Sequence, residues 1–179
     1  MKIKEVLSAL ERFAPLPLQE SWDNAGLQVG LTETEVSGAL LCLDVNERIV
    51  DEAIEKGCNL IVSHHPLLFR GLKTISDLTD VQRTVMKAIT NHIAVISMHT
   101  NMDNAKGGVN FRIASKLGLQ NVRFLVDGPS TSSGTAVAEP VEAQSGSGVL
   151  GELPEPLAAD DFVLKVKNPD KVTNQIIVK

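Results

Sequence analysis

The segment NLIVSHHP, residues 59–66, decides how the chain is read: an apolar run, Leu60-Ile61-Val62, opens directly into Ser63 and two adjacent histidines. About thirty residues later the grammar repeats, with Ile93-Ala94-Val95-Ile96 opening into SMHTNMDNAKGG. Short, nearly continuous apolar runs are the signature of strands buried on both faces. Between them, Val81, Val85, Met86 and Ile89 recur at helical spacing, with Asp80 placed to cap the helix. Upstream, Ala39–Val45 forms another apolar run. Asn46 then stands before a helix that runs to Lys56 with Ile49, Val50, Ala53 and Ile54 on one face, and Gly57 ends it. Strands alternating with helices predict βαβ units and an α/β fold: a mostly parallel sheet with helices on both faces.

The flanks fit the same plan. Ile3, Val6, Leu7, Leu10 and Phe13 mark an N-terminal helix that Pro15 and Pro17 stop. SWDNAGLQVG, residues 21–30, reads as a loop entering a short strand. Trp22 is expected to cover the core there, with Asp23 and Asn24 capping or turning; a role in a site is the alternative. A helix over Val109–Leu117 ends at Gly118, and Val122–Leu125 is a further strand. Residues 1–125 are therefore taken as one α/β domain. Residues 126–148, with no Leu, Ile, Phe, Lys or Arg, read as a flexible Ser/Gly/Ala-rich linker. Residues 149–179 then offer a proline-rich turn, one amphipathic helix and a short apolar tail, the partial start of a second α/β half.

Composition limits the partners. The 179 residues carry a net charge of −5, five Phe, one Trp and no Tyr, which argues against general binding to DNA or RNA by charge or by rows of stacking rings. Cys42 and Cys58 lie in or beside apolar runs and are expected to be reduced core residues. No apolar run approaches the ~18 residues of a membrane span, and the N-terminus lacks the pattern of a cleaved leader. A soluble cytoplasmic protein with no membrane partner is the expectation.

The chemistry concentrates at two strand ends. Open parallel sheets bind ligands beyond the carboxyl ends of their strands, and SHHP and HTNMD both fall at such ends. If the two strands are neighbours, His64, His65 and Asp103 converge on one or two divalent metal ions, with His99 orienting a ligand by hydrogen bonding or, as the alternative, coordinating directly. Imidazole with carboxylate suits Zn, Mn, Fe, Co or Ni, and the donor types do not choose among them. Adjacent histidines in an extended segment point to opposite sides, which favours service to two ions, or to one ion and a substrate, over a shared grip on one. Gly107 and Gly108 before a helix either make a turn or offer amides to an anion. Ser63 lacks the GxSxG surroundings of a nucleophile, and His92 has no partner nearby in sequence.

SWDNAGLQVG, IVSHHPLLFRG and SMHTNMDNAKGGVN, in this order and followed by GELPEPLAADDF, resemble the Nif-three-like family, whose members are often described as GTP cyclohydrolase I type 2 homologues. The resemblance covers about residues 1–125 and resumes near Gly151. It implies a dinuclear metal centre with His64, His65 and Asp103 as ligands, and a toroidal homohexamer. That family completes its centre with a His and a Glu in an HxxxE arrangement, whereas no histidine follows His99 here. The function implied is a metal-dependent hydrolase acting on a nucleotide or other phosphate-containing ligand, with no catalytic residue assigned. The alternative is a non-catalytic metal-binding or regulatory protein.

Overall fold

A computed structural model describes residues 1–127, 145–167 and 176–178. Its elements divide between two compact units, Met1–Asn101 with Thr173–Lys179, and Met102–Val172.

In the first unit, helix α1 (Ile3–Phe13) precedes strand β1 (Gly26–Val29), and then come β2 (Ala39–Cys42), α2 (Glu47–Glu55), β3 (Leu60–Ser63), α3 (Asp80–Thr90) and β4 (Ala94–Ser97). A last strand, β7 (Ile176–Val178), joins the same sheet, whose order is β1-β4-β3-β2-β7. The three central strands are parallel, and β1 and β7 run antiparallel at the edges. This is the mostly parallel α/β sheet, flanked by helices, that the sequence predicts. In register, Leu40 pairs with Ile61 and Ile61 with Val95. These three pack into one core with Val50 and Ala53 of α2 and Val85 and Ala88 of α3. Leu60 and Ile96, one position out of phase, are buried as well. A strand buried on both faces needs no polar alternation, which is why these strands read as unbroken apolar runs.

The helix boundaries follow local chemistry. Asn46 caps α2, accepting from the amides of Arg48 and Ile49 at 3.0 and 3.2 Å. Gly57 follows with φ 66°, a left-handed conformation that costs glycine little. At α3 the cap is Thr79, which accepts from the Gln82 amide, and not Asp80 as the sequence suggests. Asp80 is the first helical residue, and its carboxylate pairs with Arg83. A carboxylate in the first turn is still favoured by the helix dipole.

The second unit holds α5 (Val109–Leu117), the antiparallel pair β5 (Gln120–Asp127) and β6 (Gly146–Glu152), and α6 (Ala159–Lys167). Phe111 and Phe124 meet edge-to-face with centroids 4.9 Å apart. The short helix α4 (Thr100–Asn104), which the sequence reading takes as loop, spans the boundary between the units. The expected linker at 126–148 is too wide. Val126 and Asp127 pair with Ser147 and Gly146, so both margins belong to strands, and residues 128–144 lie outside those described. Composition reports missing apolar side chains, but a β-ladder is held by backbone groups, and small residues are admitted where chains approach closely. A Cβ on Gly146 would lie 2.3 Å from the Val126 carbonyl oxygen. The sequence places a domain edge at 125, whereas the two compact units divide the chain at 101/102. The tail at 176–178 pairs with β2 in the first unit's sheet, where the sequence suggested the start of a separate half. Among the described residues no helix is long and apolar enough to cross a membrane.

Candidate metal centre

β3 and β4 are neighbours, parallel and in register, with Ser63 opposite Ser97. Their carboxyl ends therefore deliver His64, His65 and His99 to one place. One ring nitrogen from each lies within 4.8 Å of the others, and the ring centroids are 5.0, 5.2 and 5.6 Å apart. Two donors on one ion sit at most about twice the ~2.1 Å metal–nitrogen bond apart, so a modest inward rotation of the rings suffices for them to share it. The expectation that His64 and His65 point to opposite sides does not apply, because β3 ends at Ser63 and both histidines lie in the bend beyond it.

That bend is pinned from below. The His64 and His65 amides donate to the carbonyls of Cys42 and Leu43, and the Met98 amide donates to the Ser63 carbonyl. The Ser63 hydroxyl, only 2% exposed, donates to the His65 carbonyl at 2.9 Å, and Ser97 lies 2.8 Å from the same hydroxyl. Ser63 thus shapes the turn, in keeping with its lack of nucleophile surroundings.

Each histidine is also held through its Nδ1. His64 Nδ1 lies 2.9 Å from the Met98 carbonyl, His65 Nδ1 2.7 Å from Asp44 and His99 Nδ1 2.8 Å from Asp23. All three partners are acceptors, so Nδ1 carries the proton and, in each neutral ring, Nε2 carries the lone pair. This is the tautomer that metal-binding histidines adopt when a carbonyl or carboxylate orients them. The donor set fits a divalent ion of the borderline class.

Of the two supporting carboxylates Asp23 is the more deeply set, its side chain inaccessible to solvent while that of Asp44 is exposed. Burial alone would raise its pKa. Hydrogen bonds from the Thr100 hydroxyl and His99, with the Asn24 and Thr100 amides, outweigh that and hold the carboxyl below its ordinary value. The sequence favours a capping or turn role for Asp23 with a site role as the alternative, and does not single out Asp44. The available signal was position: Asp44 follows β2, so it too lies beyond a strand's carboxyl end.

The remaining candidates separate. His99, expected to orient a ligand with direct coordination left open, has a ring nitrogen within 4.8 Å of those of His64 and His65. Asp103 lies on α4, and its backbone carbonyl accepts from Asn110. The Gly108 amide donates to the Ala105 carbonyl, and a Cβ there would lie 1.9 Å from the Met102 oxygen, so this glycine serves the turn. His92 sits exposed in the turn before β4 with φ 55°, away from the cluster. Trp22, expected over the core, is 58% exposed.

Fold and site together define a mostly parallel α/β protein with a histidine cluster at its strand ends, suited to a divalent metal. The chain belongs to the Duf34/NIF3 (NGG1p interacting factor 3) family, whose description matches residues 1–178. A GTP cyclohydrolase 1 type 2 homolog from Clostridium acetobutylicum is 35% identical over 172 residues, 96% of this chain and 60% of the relative. The solved structure of a Staphylococcus aureus hypothetical protein superposes with a TM-score of 0.84 at 31% identity, covering 94% of this chain and 64% of the other. That of a Bacillus cereus protein related to NIF3 gives 0.68 at 42% identity, covering 72% and 35%. The chain thus spans about three fifths of the length of the first relatives it matches.

Proposed function

We propose that the chain is a divalent-metal-binding protein that acts as a metal-dependent hydrolase on a nucleotide or another phosphate-containing substrate. The observation that carries the metal reading is the shared orientation of three imidazoles, each bonded through Nδ1 to an acceptor. His64, His65 and His99 would hold the ion, and the family resemblance adds Asp103 as a carboxylate donor. A bound divalent ion supplies Lewis acidity and a water activated near neutral pH. Asp23 and Asp44 keep two of the imidazoles in the coordinating tautomer, and Ser63 fixes the turn that presents the pair. The nucleotide preference rests on the names of the relatives and homohexameric assembly on the resemblance; a cytoplasmic location rests only on the sequence, which has no leader pattern and no membrane-length apolar run.

One observation favours the second reading, a non-catalytic metal-binding or regulatory protein. Asp23, the buried carboxylate beside His99, has both oxygens taken up by hydrogen bonds from His99 and Thr100, so it is not available as a general base.

The test is elemental analysis of the purified chain after supply of Zn, Mn, Fe, Co and Ni in turn, with phosphoester and GTP turnover assayed alongside. The hydrolase reading expects activity that tracks metal and is lost in His64→Ala. Metal without turnover selects the second reading. A folded chain that takes up no ion at micromolar supply ends both.

A further inference from the structure

We propose that Trp22 and Phe69 form a stacking site for a planar heteroaromatic ring, next to the histidine cluster. The chain has six aromatic side chains in all, five Phe and one Trp. Two of them flank the candidate metal centre and remain open, Trp22 at 58% and Phe69 at 48% exposure. Their centroids are 5.9 Å apart with the planes inclined at 57°. Both meet His99 edge-on, at 6.2 and 6.4 Å. Large rings left in water forgo about 25 cal/mol for each Å² of apolar surface not buried. A core role for either ring would have covered it.

The backbone under the rings is fixed. Next to Trp22, Asp23 is clamped by Thr100 and His99. The Asn24 side chain donates to the Leu68 carbonyl at 2.7 Å, and Gln28 accepts from the Leu68 amide at 3.1 Å. These bonds tie the loop that carries Trp22 to the loop that carries Phe69. The rings are thus set before a ligand arrives, which lowers the ordering cost of binding. Because the planes are inclined, the pair is no parallel slot: a ligand ring stacks on one and meets the other by its edge, both favourable arrangements. Arg70, exposed beside Phe69, puts a cation on the same loop for an anionic substituent. A purine-like heterocycle fits this set; a bare sugar phosphate does not use the rings.

The placement of this ligand as substrate rests on the hydrolase reading, but ring binding can be measured without metal. Trp22 is the only tryptophan, so its fluorescence reports on the site directly. The full chain, stripped with EDTA and separately metal-loaded, is titrated with guanosine and adenosine, and with ribose 5-phosphate as the ringless control. Saturable quenching by the nucleosides and none by the control is expected. Phe69→Leu weakens nucleoside binding about tenfold or more, the usual scale for losing one stacking ring. Trp22→Leu abolishes binding in calorimetry. Circular dichroism of both variants stays that of the parent, since the replaced rings are exposed. The proposal is overturned by the absence of saturable quenching, by an equal response to ribose 5-phosphate, or by unchanged affinity in folded Phe69→Leu. A Trp22→Leu variant that changes only its oligomeric state also overturns it. Elemental analysis of the same samples separates the two claims: ring binding without metal uptake removes the hydrolase reading alone, and metal uptake without ring binding removes the stacking site alone.

Discussion

Asp23 and His99, 76 positions apart in the chain, are joined by a 2.8 Å hydrogen bond in which the imidazole Nδ1 donates to a carboxylate closed off from solvent. The other carboxylate oxygen accepts from the Thr100 amide and hydroxyl, and that hydroxyl in turn accepts from the Glu20 amide. Asp23 therefore orients His99 and fastens the loop at residues 20–24 to the start of α4. Asp23→Ala should lower divalent-metal affinity on the order of 10- to 100-fold, the usual loss when the group orienting a ligand is removed. Asp23→Asn retains one acceptor but turns an amide NH₂ toward donors, so an intermediate affinity with lower thermal stability is expected. Competition against a chromogenic chelator, with melting curves on the same samples, measures both. Wild-type affinity in folded Asp23→Ala would show that the bond does not prepare His99 for an ion.

Metal removal supplies the next prediction. An ion that binds only the folded state stabilises it by mass action. Stripping with EDTA should thus lower the melting temperature of the wild type and leave metal-free His99→Ala almost unmoved. His92 is the control. It sits at the amino end of β4, with the cluster at the carboxyl end, and its φ of 55° marks a left-handed turn residue. His92→Gly should respond to EDTA as the wild type does, while melting slightly higher, because glycine adopts that conformation without strain. An equal EDTA response in His99→Ala and wild type would take His99 out of the binding set.

The sheet and the histidine pair were legible because the same physics wrote both. Strands buried on two faces show as apolar runs, and parallel strands in register bring residues just past their ends together, so His64 and His65 had to meet whatever followed β4. His99 was underweighted because its distance from Ser97 is counted along the chain, whereas its place in the cluster depends on how the chain turns after β4. Asp23 was hidden for another reason. Its bond to His99 crosses 76 residues between a loop and a strand end, and no periodicity encodes such a contact. The margins of the 126–148 segment were misjudged because backbone pairing leaves no hydrophobic trace in Gly and Ser.

Gly30 is a position where backbone geometry dictates the residue. Its φ is 107°, and a Cβ placed on it would lie 2.6 Å from the Ala94 Cα, across the β1–β4 edge of the sheet. Ala94 is buried and its amide is already bonded to the Asn59 carbonyl, so β4 has little room to retreat. Gly30→Ala should cost at least ~1–3 kcal/mol for the disfavoured conformation alone, with the clash added. Urea unfolding monitored by circular dichroism gives the figure; a loss below ~0.5 kcal/mol would mean that β1 re-registers along β4 at little cost.

Alkaline pH should probe the end of β2. Burial, aided by the negative charges of Asp44 and Glu52, pushes the Cys42 thiol up to about 12. An unfolded cysteine ionises near ~8.5. Between these values the unfolded chain has lost a proton that the folded chain keeps, so stability falls as pH rises through that window and is fully present below it. Two results are expected. Native Cys42 should react with iodoacetamide at pH 8 far more slowly than in urea, since the thiolate is the nucleophile. The wild-type unfolding free energy should decline between about pH 8.5 and 10.5, and Cys42→Ala, though less stable at neutral pH, should show a shallower decline. Parallel slopes for the two proteins would assign the alkaline loss to other groups and leave the Cys42 thiol without its protected status.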